Sequence, residues 1–209
     1  MSQQHTLLAK FVAIAVLFST LRLAMAAGNL VEFSAALQKF EGEGITYQRL
    51  VFKDDKRVIY YQPPRGWKCN AFGNLLTLTP ADRTFAEAKI SSVALDKAVS
   101  LDDKAADAFK QQVLSSLPEG SRNAAVVKQE QNGITLNNNS MLEVIVSYDV
   151  YGQSFQRSVF LLNTPANQVR FQFTARKADF DALYRQFRES VVTWEWQPES
   201  GQANPDSDG

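Results

Sequence analysis

Histidine is almost missing from this chain. Its 209 residues include one, His5, and a single cysteine, Cys69. His5 lies in a segment that reads as an export signal, so the chain beyond residue 26 has no histidine. Histidine is the one side chain whose ordinary pKa falls near neutrality, and so it is the usual general base. Without it no Ser-His-Asp or Cys-His pair can be assembled. A zinc or copper site would need imidazole or thiolate ligands; carboxylates alone suit magnesium, calcium or manganese. The expectation is therefore no catalytic residues, no resident metal and no cofactor. A lone cysteine closes no internal disulfide. As one of the most buried residue types, Cys69 is expected inside, with a disulfide to a second copy as the alternative. Excess charge is missing too. With 22 basic and 22 acidic residues, nothing in the balance recommends a nucleic acid as partner.

The first segment sets the compartment. Lys10 precedes an apolar run over residues 11–21, and Ala24-Met25-Ala26 places small residues where a signal peptidase cuts. Lys10 and Arg22 bracket a run shorter than the ~20 apolar residues of a membrane span. Residues 1–26 are thus expected to be a cleaved signal peptide. The product would be secreted, periplasmic in a Gram-negative cell, with no transmembrane anchor once processed. Residues 27–196 are expected to form a single α+β domain. Residues 197–209 are rich in Gly, Pro, Asp and Ser and read as a disordered tail.

Periodicity orders the elements. Leu30, Phe33, Leu37 and Phe40 recur at helical spacing. Residues 45–53 and 57–62 read as a hairpin, and residues 75–79 and 86–95 as strands. Ser100 to Asp103 resembles a capping box, opening a helix with Phe109, Val113, Leu114 and Leu117 on its stripe. Residues 124–131 lead to Asn132-Gly133, a tight-turn signal, and residues 137–139 form a second turn. Strands over 142–150, 154–162 and 169–176 follow. Phe180, Leu183, Tyr184, Phe187 and Val191 then give the firmest amphipathic stripe. Strands joined by short turns run antiparallel. The expected architecture is an α/β/α sandwich, a central antiparallel sheet flanked by helices.

The element order carries a resemblance. An aromatic hairpin runs into Tyr60-Tyr61-Gln62-Pro63-Pro64-Arg65-Gly66-Trp67, a middle helix precedes a long meander, and the chain closes on Phe180, Leu183, Phe187, Ser190 and Trp194. From Gly44 to Trp196 this resembles the PsbP-like family. The resemblance implies that family's α+β fold. It also implies an accessory or binding protein without enzymatic activity, whose partner is a protein or a cell-envelope component.

Few residues suggest a site. Arg157, Arg170 and Arg176 line up on neighbouring strands. They would form cross-strand ion pairs with Glu143 and Asp149, or else bind a small anion or acidic peptide. Trp67, beside Pro63-Pro64, would plug the core or form an exposed aromatic patch for a partner. A divalent-ion module built on Asp and Glu, and a carbohydrate hydrolase built on a carboxylate pair, are the remaining alternatives.

Overall fold

The computed structural model describes residues 32–42, 45–54, 57–95, 99–164 and 167–198. The export segment, and the tail beyond Pro198, lie outside the described residues. Strands β1 (Glu32–Gly42), β2 (Ile45–Asp54) and β3 (Arg57–Tyr61) come first along the chain, followed by β4 (Trp67–Phe72), β5 (Leu75–Pro80) and β6 (Glu87–Ala94). Helix α1 (Asp103–Ser115) comes next. Then follow β7 (Arg122–Leu136), β8 (Asn139–Val150), β9 (Gln153–Asn163), β10 (Asn167–Arg176), helix α2 (Lys177–Val191) and β11 (Glu195–Pro198).

The strands make two sheets. The larger has the order β4-β5-β6-β10-β9-β8-β7 and the smaller β1-β2-β3-β11, with every described pairing antiparallel. The class is α+β, as the periodicity predicts. The expected sandwich is modified on one side, where the smaller sheet joins α2 in covering the larger one.

That side holds the main core. Val169, Phe171, Phe173 and Ala175 of β10 point at Phe180, Leu183, Phe187 and Val191 of α2. The Phe173 and Phe187 rings lie 5.6 Å apart. Trp194 pins the sheets together, stacked on Phe52 of β2 and edge-on to Phe171 of β10. Tyr61 hydroxyl and Ser190 Oγ are hydrogen-bonded at 2.8 Å, and Gln62 N–H donates to Thr193 Oγ1. Pairing of β11 with β3 then brings the last described strand back beside an early one.

Several local expectations change. The segment with helical spacing near residue 33 is strand β1, paired with β2, and the register slips between Glu32 and Ala36. Tertiary pairing overrides a weak periodicity there. Helix α1 is capped by Asp102, whose Oδ1 accepts from Ala105 N–H at 2.8 Å, and not by Ser100. Asn132-Gly133 is no hairpin turn. β7 runs through it with a register shift, Asn132 sits at φ +64°, and the chain reverses at Asn137 and Asn138, both with positive φ. Residues 67–72 are a strand that the pattern did not announce. Gln197 and Pro198 belong to β11, not to the tail. Cys69 is exposed, because β4 is the outermost strand of its sheet.

Candidate functional site

The face of the large sheet opposite α2 is divided lengthwise. On β8 and β9 its residues are apolar: Leu142, Val144, Val146, Val159 and Leu161. Helix α1 lays Ala106, Phe109 and Val113 over them. On β5, β6 and β10 the same face is polar. Cross-strand rows show the change, with Thr77, Lys89 and Gln172 giving way to Val159 and Val144. A helix gains nothing by covering the polar half, so α1 stays on the apolar one.

A groove of about 650 Å³ opens along this border, beyond the end of α1. Its floor includes Lys89, Gln172, Thr174 and Arg157. Tyr148 and Phe155, stacked with centroids 5.8 Å apart, line one wall. Phe85 meets Phe155 edge-on, and Tyr151 stands at the rim.

Arg157 is held rigidly and is only 8% exposed. Its Nε donates to Thr174 Oγ1 at 3.1 Å and its Nη1 to the Ser116 carbonyl at 3.0 Å. Its guanidinium lies over the Tyr148 ring. The Ser116 contact also satisfies the carbonyl end of α1, where a cation is favoured. Arg170, on β10, shares this face and lies over the Phe109 ring. Its Nε and Nη2 are buried and make no hydrogen bond among the described residues. Burial first, and then the charge of Arg157, hold Arg170 below its ordinary pKa. Arg176 rests on Phe85 at 4.3 Å, towards a neighbouring hollow floored by Lys177 and Ser154.

The expected ion pairs do not form. Glu143 and Asp149 point to the other face of β8. Among the described residues no carboxylate pairs with Arg157, Arg170 or Arg176. Asp149 instead accepts from Ser154 and Asn123, and these two hydrogen bonds hold its carboxyl below the usual range. Glu143 is 4% exposed and accepts from Ser158 Oγ at 2.7 Å, Lys128 Nζ at 3.1 Å and the Tyr184 hydroxyl. Lys128 also reaches Glu130. Partial burial works against its charge, but the hydrogen bonds to the two carboxylates carry its pKa above the ordinary value. Burial, and then the bond to Glu143, push Tyr184 well up. This knot ties β7, β8, β9 and α2 together. Its two carboxylates share one ammonium, and one of them is sealed from solvent.

Trp67 lies in the core. It is 9% exposed, tilted against Phe173, and donates from Nε1 to Gln186 Oε1 at 3.2 Å. The turn before it, closed by Trp67 N–H to the Pro64 carbonyl, needs Gly66 at φ +79°. Trp67 is therefore a plug, not a surface patch. Among the described residues no three His, Cys, Asp or Glu side chains gather as a metal site would require. No described helix is long and apolar enough to cross a membrane.

Sequence reasoning missed Phe85 and Tyr151. Both are exposed, at 60% and 91%, and both have positive φ, +66° and +52°. For a residue with a Cβ the left-handed region costs ~1–2 kcal/mol. Tyr151-Gly152 is the two-residue turn between β8 and β9, where Asn-Gly is the favoured pair. An aromatic at that position is a signal that could have been read in the sequence.

No protein-family model matches the sequence, and no curated protein matches it. Solved structures do resemble it. A protein of Bacteroides thetaiotaomicron is 15% identical over 68% of this chain, with a TM-score of 0.44, and the match spans 46% of that protein's length. Cyanobacterial PsbP of Synechocystis is 13% identical over 78% of this chain and 94% of its own, TM-score 0.48. LpqN of Mycobacterium tuberculosis, described as involved in cell envelope biogenesis, is 14% identical over 79% of this chain and 92% of its own, TM-score 0.46. PsbP, whose family the sequence pattern resembles, is thus among the solved structures similar to this chain.

Proposed function

We propose that this protein is a non-catalytic accessory protein that acts outside the cytoplasm and binds its partner in the groove bordered by α1. The observation that carries the reading is Arg157, immobilised in the groove beside Arg170, with neither guanidinium paired to a carboxylate among the described residues and the groove's own Glu87 taken up by Lys89. Two like charges held together and left without a counter-charge favour an anionic group. The near-absence of histidine supports a binding role over hydrolysis. Placement outside the cytoplasm rests on the apolar run and the Ala24-Met25-Ala26 site. N-terminal sequencing of the exported protein should begin at Ala27.

The groove is tested by obstruction. Gln172→Trp and Lys89→Trp each place an indole in the floor. A thermal-shift panel of small anions, neutral compounds and cations should contain at least one class that raises the melting temperature of the wild type and of neither variant. A panel in which every hit acts equally on wild type and variants would place the binding site elsewhere.

A further inference from the structure

Resting on that reading, we infer that the groove takes an anionic amphiphile, a molecule with one carboxylate or phosphate head and an alkyl or aryl body. We also infer that Phe85 and Tyr151 are jaws held open for that body.

Charge and shape divide the groove between the two parts of such a ligand. At one end Arg157 presents a guanidinium already fixed by Thr174 and the Ser116 carbonyl, so no side-chain freedom is lost when an acid binds. The two other cations that line the groove are paired with carboxylates. Lys89 pairs with Glu87 at 2.5 Å, and Arg83 pairs with Asp82 and Asp179. The head is thereby directed to one position. Beyond it the lining turns apolar, through Tyr148, Val150 and Phe155 to the two exposed aromatics. The volume of about 650 Å³ falls in the range of small-molecule sites, which run from roughly 300 to 1,000 Å³.

The backbone supplies a second argument, independent of charge. Two bulky residues stand at the same groove, both left-handed and both mostly in solvent. Packing does not account for Tyr151, which is 91% exposed. Strain kept where the fold gains nothing marks a position held for a ligand. Arg176, over the Phe85 ring, fixes one jaw from behind. The turn that carries Tyr151 leads directly into the strand of Arg157, so the second jaw and the head-binding cation stand on one continuous segment.

Calorimetric titration of the purified protein tests the ligand class with matched probes. Decanoate, decyltrimethylammonium and decyl glucoside share a tail and differ in the head; 4-phenylbutyrate offers an aryl body with the same head. At least one of the two acids should bind roughly tenfold more tightly than the cation and the glucoside. Whichever acid is preferred identifies the alkyl or the aryl source. Equal binding of all heads, or no binding of either acid, overturns the inference. If the obstruction variants still abolish binding of some other panel compound, the groove survives and only the ligand class falls.

Tyr151→Asn and Phe85→Asn test the jaws. Each should weaken the preferred acid by roughly tenfold while raising the melting temperature by a few degrees, since Asn tolerates the left-handed region. Loss of stability with unchanged affinity would make the aromatics structural and overturn the second half of the inference.

Discussion

The two faces of the seven-stranded sheet are built to different ends. Towards α2 and the smaller sheet, β10 contributes an unbroken apolar row, and the aromatic contacts run from Trp67 to Phe173 and from Phe173 to both Phe180 and Phe187. Towards α1 the apolar row stops at the edge of β9, and a cationic border takes over. The same strand, β10, serves both: Val169, Phe171, Phe173 and Ala175 close the core, and on the other face Gln172 and Thr174 floor the groove. Alternation along one strand is thus enough to make a sheet a wall on one side and a site on the other.

The contrast is broken most severely at the closed face. Phe187→Ala should cost ~3–5 kcal/mol, a large part of the ~5–15 kcal/mol that stabilises such a domain, and should lower the denaturant midpoint accordingly. Glu143→Ala should cost about 2 kcal/mol, because Ser158, Tyr184 and Lys128 all lose an acceptor. Glu143→Gln, which keeps the shape and an acceptor oxygen, should recover part of that.

Cys69 sharpens the comparison at the uncovered margin of the closed face. It pairs with Leu78 and lies near Tyr61, yet is exposed. Enough protein surrounds the thiol for desolvation to push its pKa up to about 11, from an ordinary value of 9.0. A raised acid pKa means the folded state holds its proton longer than the unfolded one. The associated stability is complete below pH 9.0 and is lost as pH rises through about 11. Denaturation of wild type and Cys69→Ser should therefore diverge only above pH 9, and thiol alkylation at pH 8 should be slower than that of free cysteine. The smallest effect belongs to Arg185→Ala, at an exposed position off the stripe of α2, which should change stability by less than about 0.5 kcal/mol.

What the sequence made legible follows from how each feature is encoded. The alternation of β8 and β10 and the stripe of α2 depend on burial with a fixed period, and their residues stand where that period puts them. The spacing of Phe33, Leu37 and Phe40 fits a helix, and it is the antiparallel pairing with β2, the next strand along the chain, that makes this segment a strand. Asn132-Gly133 failed as a turn because the same dipeptide also suits a bulge in a continuing strand. Arg157, Arg170 and Arg176 do share one face, but which carboxylates face them depends on parity. Glu143 and Asp149 are at odd positions on β8, away from the even row that shares the arginines' face. The aromatic jaws lie in turns, where only a residue at odds with the turn's own preference betrays a purpose.

The pairing of β11 with β3 has a consequence for the order of synthesis. The smaller sheet draws three strands from the start of the chain and its last from the end, and the Gln62 to Thr193 hydrogen bond spans 131 residues. Until Trp194 and the residues after it have been made, β3 has a bare edge and Phe52 lacks its stacking partner. A chain wired this way closes late, and contacts of such long separation make folding slow. An unfinished chain therefore cannot commit to its final shape before its last described strand has been made.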